Sequence, residues 1–169
     1  YGTLSGFTRR IPNIRELRTV RTTSDGLENN SEIWEPSTKT WTLTVGDSAE
    51  AWAKSIGKLL AGKYPAETLL LAYREIRPAG ARLVGYGWLS QGDEALARAY
   101  RAITGLLNRK AGTLLSRIDI LDILNHLGTI LSTRRSAEIA LLNYGEPEWY
   151  EFSNAKRDYW KSNPQRAQS

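Results

Sequence analysis

Apolar positions along the chain switch between two periods. Trp41-Thr42-Leu43-Thr44-Val45 alternates apolar with polar and is rich in β-formers, which predicts a strand. Gly46-Asp47-Ser48 ends it. Trp52, Ile56, Leu59 and Leu60 then recur at helical spacing, with Asp47 or Ser48 placed to cap the helix, Glu50 in its first turn and Gly62 closing it. Thr68–Tyr73 is almost continuously apolar, the pattern of a strand buried on both faces of a parallel sheet.

A Gly-rich stretch follows, and then a second helical pattern begins. Its apolar positions are Leu96, Tyr100, Ile103 and Leu107, with Asp93 as the expected cap and Gly112 as the stop. Ser116-Arg117-Ile118-Asp119 reads as a capping box, with Asp in place of Glu, for a helix running to Gly128. Thr133–Ser136 is a polar turn, and Ala137–Leu142 reads as a strand. Gly145-Glu146-Pro147 starts a last helix holding Trp149, Phe152, Lys156 and Trp160, ended by Asn163-Pro164-Gln165-Arg166. The order β-α-β-loop-α-α-β-α predicts an α/β fold with a mainly parallel sheet. Residues 1–40 show weak periodicity, punctuated by Asp25-Gly26, Asn29-Asn30-Ser31 and Pro36-Ser37. They are expected to form a basic irregular arm or insertion remnant, leaving 41–169 as the folded segment.

Composition narrows the function classes. At 169 residues the chain suits one domain with a real core. No apolar run approaches the ~18 residues of a spanning helix, so no membrane partner is expected. With no cysteine, disulfides, thiolate metal sites and thiol chemistry on this chain are excluded. The chain begins at Tyr1 and holds no Met, so the expectation is a piece of something larger or half of a split protein. Net charge is +5, and Arg9, Arg10, Arg15, Arg18 and Arg21 face only Glu16 in the first stretch. Such an arm can bind nucleic-acid phosphates, but without aromatic–basic alternation or a reader motif a solvated arm is the preferred reading.

Chemistry is most legible in residues 76–93. Gly80, Gly85, Gly87 and Gly92 allow close backbone approach to a ligand, and Arg77 and Arg82 add forked cationic donors. A loop of this kind, between a buried strand and a helix, suits a phosphate-bearing ligand. Asp47 and Ser48 sit where a strand ends and a helix begins, the place where parallel sheets bind ligands; from spacing alone, a plain N-cap is preferred. Arg134-Arg135 can clamp phosphate or lie in a solvated turn. His126, the one histidine, reads as a packing residue, and Asp119 with Asp122 as carboxylates favoured by a helix N-terminus rather than Mg²⁺ ligands.

Five stretches in order resemble the adenosylcobalamin-dependent (class II) ribonucleotide reductases, particularly the monomeric ribonucleoside-triphosphate reductases. They are Val45–Trp52, Glu75–Gly80, Ser116–Ile123, Arg134–Leu141 and Asn163–Arg166. The resemblance implies the first half of a ten-stranded α/β barrel. It implies a deoxynucleoside triphosphate effector contacted by Asp47 and Ser48, with Arg77, Gly80, Arg82 and Gly85 in a first specificity loop over its phosphates. Ser132, Thr133, Arg134, Arg135, Ser136 and Ala137 would form a second loop that relays effector identity to the nucleotide substrate. In the family, cobalt–carbon homolysis makes a thiyl radical on a finger-loop Cys, a Cys pair supplies electrons, and an external dithiol system restores it. None of these cysteines is here. The resemblance therefore implies a cytoplasmic enzyme segment, inactive alone, with a complementary chain bringing the finger loop and most of the cobalamin site. The alternative is a stand-alone nucleotide-binding regulatory domain without catalysis.

Overall fold

Alternation along Thr40–Thr44 (β3) and the apolar run of Thr68–Ala72 (β4) produce two adjacent parallel strands, joined over the helix Ala49–Ala61 (α1). The structure, a computed structural model, describes residues 13–17, 26–84, 89–130 and 140–168. Ser48 caps α1, its Oγ accepting the Ala51 N–H at 3.1 Å. Gly62 ends the helix in the left-handed region at φ 57°, where a residue without Cβ is least strained.

The sheet holds two further strands that the sequence pattern did not announce. Asn13–Leu17 (β1) pairs in parallel with β4, and Ser31–Glu35 (β2) pairs antiparallel with β3, giving the order β1-β4-β3-β2. The described part of residues 1–40 is therefore not an irregular arm. The sheet is mixed, with parallel pairing at β1·β4 and β4·β3.

The core lies on one face of that sheet. Trp41, Leu43, Leu69 and Leu71 are at most 1% exposed, and pack with Trp52, Ile56 and Leu59 of α1. Leu96, Tyr100, Ile103 and Leu107 of the helix Gly92–Arg109 (α2) join the same cluster, all fully buried. On the other face, register aligns Ile33, Thr42, Leu70 and Arg15 in one row. Thr42 and Leu70 are only half-buried there and Ile33 is exposed, so the expectation of a β4 buried evenly on both faces does not hold.

Two helix starts differ in how they are made. α2 begins at Gly92 with Gln91 in the cap position and no side-chain cap bond; Asp93, the expected cap, lies in the first turn. Its last residue is Arg109, ahead of Gly112, which takes φ 80° in the turn beyond. The helix Arg117–Gly128 (α3) has the expected capping box: Asp119 N–H donates to Ser116 Oγ at 3.1 Å and Ser116 N–H to Asp119 Oδ2 at 2.8 Å.

Beyond α3 the expectations fare worse. Of the proposed strand 137–142, the described residues 140–142 form no strand, and 137–139 lie outside the described residues. The single last helix is two short ones, Trp149–Ser153 (α4) and Tyr159–Ser162 (α5), followed by a 3₁₀ turn Pro164–Gln168. Asp158 takes φ 52° between them, a left-handed conformation that an α-helix cannot carry through. What fixes this tail is Arg166, whose Nε and Nη2 fork onto the two Asp122 oxygens at 2.7 and 2.8 Å while Nη1 donates to Ala155 O at 2.8 Å. No described helix is long and apolar enough to cross a membrane.

Candidate functional site

Parallel pairing brings the carboxyl ends of β3 and β4 to one edge of the sheet, and the two segments singled out by sequence meet there. Asp47 follows β3 and is 7% exposed. Arg77 follows β4, and its Nε donates to Asp47 Oδ2 at 2.9 Å. Its backbone N–H reaches Asp47 Oδ1 at 3.3 Å. The Arg77 Nη1 donates on to the Arg82 carbonyl at 3.1 Å. One guanidinium thus ties a strand end to the loop beyond the next strand.

Ser48 is mainly a cap. Besides receiving Ala51 N–H, its hydroxyl donates to Glu28 O at 2.8 Å. The loop after Arg77 folds back on itself. Gly80 N–H donates to Ser90 O at 2.9 Å, Ser90 N–H to Ala81 O at 2.8 Å, and Arg82 bridges to Leu89. Gly80 needs its freedom at φ 86°, and Gly92 at φ 70° lies so close to Ala79 that a Cβ would sit 2.8 Å from the Ala79 nitrogen. Arg82 is exposed, so it is the cation this loop presents outward. Asp93 and Glu94 in the first turn of α2 disfavour an anion at that helix N-terminus, so phosphate affinity rests on the arginines. Gly85 lies outside the described residues, as do Ser132, Thr133, Arg134, Arg135, Ser136 and Ala137.

The remaining candidates have structural partners. Asp119 completes the α3 capping box and pairs with Lys110 at 3.1 Å; Asp122 holds Arg166. No group of three metal-ligating side chains occurs among the described residues. His126 is half-buried, and burial lowers its pKa against the opposing field of Asp122. The folded state therefore binds the proton less readily than the unfolded chain. The His126 contribution to stability should be full above about pH 6.5 and decline as pH falls through that value. Urea melts between neutral and mildly acid pH should show this decline, and His126→Gln should reduce it.

Sequence reasoning missed the cover on this site. Residues 27–30 lie across the Gly46–Ser48 turn, close enough that a Cβ on Gly46 would stand 2.6 Å from the Asn29 carbonyl carbon. Asn29-Asn30-Ser31 was legible only as turn punctuation, and no periodicity marks it as a neighbour of residue 46.

Comparisons with known proteins fit this geometry. A probable adenosylcobalamin-dependent ribonucleoside-triphosphate reductase of Dictyostelium discoideum is 32% identical over 127 residues, 73% of this chain and 16% of that protein. The adenosylcobalamin-dependent ribonucleoside-triphosphate reductase of Lactobacillus delbrueckii subsp. bulgaricus is 34% identical over 125 residues, 68% of this chain and 16% of the relative. The chain thus spans about a sixth of the length of the curated relatives it matches. A crystal structure of a B12-dependent (class II) ribonucleotide reductase superposes with a TM-score of 0.72 at 22% identity, over 96% of this chain and 24% of that one, a likeness of fold. No protein-family profile matches the chain.

Proposed function

We propose that this chain, a relative of the adenosylcobalamin-dependent ribonucleoside-triphosphate reductases over a segment of their length, is the part of such an enzyme that reads a deoxynucleoside triphosphate effector. The observation that carries this reading is the Asp47–Arg77 pair at adjacent parallel strand ends, with an arginine-bearing loop beyond it.

In this reading Asp47 and Ser48 meet the nucleoside part of the effector. Arg77, Gly80, Arg82 and Gly85 take its phosphates, and Ser132–Ala137 pass its identity to the substrate base. Asp47 and the Arg82 carbonyl hold the Arg77 guanidinium in one heading through Nε and Nη1, presenting the rest of the fork to a phosphate. Arg82 offers the first, exposed contact. The sheet supports the larger architecture as well. Helices cover one face, and the face carrying Thr42 and Leu70 is left partly open, as suits one arc of a ten-stranded barrel.

Catalysis needs groups this chain lacks. Adenosylcobalamin, when bound, supplies a radical that must pass to a thiol, and the chain has no cysteine. These residues therefore do not supply that step, and in this reading the finger-loop and reducing cysteines lie outside them.

Calorimetric titration with the four deoxynucleoside triphosphates tests the assignment. Arg77→Ala should weaken binding by about 1.5–3 kcal/mol, the worth of a hydrogen bond to a charged group. Unchanged heats for that variant would count against the loop.

A further inference from the structure

The turn that aims Asp47 is not held by its own strand and helix alone. Residues 27–30 cross it and touch both strand ends. Leu27 N–H donates to Glu75 Oε2 at 3.1 Å, on the β4 side. On the β3 side, Asp47 N–H donates to Leu27 O at 2.8 Å and Ser48 Oγ to Glu28 O at 2.8 Å. The one side chain in this strap that bonds both the turn and the helix is Asn30. Its Oδ1 accepts Gly46 N–H at 2.8 Å, and its Nδ2 donates to Ala51 O at 2.8 Å.

We propose that Asn30 is a positioning residue for the strand-end site: by fixing the Gly46 turn against the first turn of α1, it aims the Asp47 carboxylate at Arg77. The physical case is that three successive residues, Gly46 to Ser48, would otherwise present donors that neither β3 nor α1 satisfies. The strap satisfies all three in one geometry. A carboxylate two bonds from a loose backbone would sample several rotamers; one on a clamped turn keeps the heading that a forked, directional partner such as Arg77 requires. Gly46 belongs to the same device, since only a residue without Cβ lets the strap lie this close. The inference rests on the effector-site reading for its functional meaning, and on the hydrogen bonds alone for its mechanics.

The two are tested separately on the full chain. Solvent exchange of the Arg77 Nε proton, followed by NMR, reports the pair with Asp47. Exchange of the Trp41 indole proton, bonded to Glu32 at 3.1 Å, reports general loosening elsewhere in the sheet. In Asn30→Ala, which loses both part-buried hydrogen bonds of the Asn30 side chain, Arg77 exchange should rise about tenfold with Trp41 unchanged. Asn30→Asp keeps the acceptor for Gly46 but loses the donor to Ala51 O, so it unlinks the turn from α1 and should also raise Arg77 exchange. Deoxynucleoside triphosphate affinity should fall in step with Arg77 exchange. If both protons respond together, if Arg77 does not respond, or if Asn30→Asp stays at the parent level, the positioning role is overturned. If the parent binds no nucleotide while the exchange pattern holds, the effector reading fails and the positioning role stands.

Discussion

Arg166→Ala is expected to destabilise the protein by about 3–5 kcal/mol, because it strands a carboxylate that has little access to water. The two side chains are 14% and 12% exposed, and their contact is a two-pronged fork. Hydrogen bonding to Asp122, ahead of an opposing desolvation, raises the Arg166 pKa, so the cation is favoured at any working pH. Arg166→Lys should recover little, since a single ammonium cannot bond both carboxylate oxygens and Ala155 O in that plane. The loss should be regional as well as global. The 3₁₀ turn meets α3 through this pair, so amide exchange should accelerate across 155–168 before the sheet loosens. Urea melts and exchange on the two variants check both parts. Asp122→Asn/Arg166→Ala together should cost less than the sum of the single changes, as coupled neighbours do.

Trp41→Ala should cost a similar amount, about 3–5 kcal/mol, through the cavity left by a large buried ring. Trp41 is 1% exposed in the central strand β3. Its ring meets Tyr64 edge-on at 5.3 Å, and Tyr64 stacks on Trp34 of β2 at 5.1 Å. Its Nε1 donates to Glu32, the carboxylate that also holds Lys58 and faces Lys63 at 3.8 Å. Burial and then Lys63 lower the Lys58 pKa, so Glu32 is the anion that keeps this corner balanced. Trp41→Phe separates the two contributions: it keeps most of the ring volume but removes the donor, and should lose only about 1–2 kcal/mol. This corner lies where β3 begins, and the Asp47–Arg77 pair beyond where it ends. Trp41→Phe should therefore leave nucleotide affinity unchanged, a separation that calorimetry on the same variant will show.

Parts of the fold written in local signals were legible from the sequence. Ser48 and Ser116 each carry a cap within three residues, and Gly62 ends a helix by its own conformational freedom. The Trp41 and Leu69 runs carry their own strand patterns. β1 was not legible, since Asn-Ile-Arg-Glu-Leu becomes a strand only by pairing with Thr68–Ala72, far along the chain. The break between α4 and α5 depends on one left-handed aspartate in a stretch whose aromatic spacing still suits a helix. Asp47 and Arg77 were both picked out as ligand contacts. That they hold each other across 30 residues was beyond any spacing argument. The residues that aim them, Asn30 and the Leu27–Glu28 carbonyls, carry no chemical signature at all.

A deoxynucleoside triphosphate is expected to bind this chain at the Asp47–Arg77 strand ends. Equilibrium dialysis of the four deoxynucleoside triphosphates against the 169-residue chain, beside the matching ribonucleotides and a DNA duplex, measures it most directly. Saturable binding of at least one deoxynucleoside triphosphate is expected, displaced by excess inorganic triphosphate and weakened by Arg77→Ala. Binding of none of the four, or duplex binding alone with steep salt dependence, would contradict it.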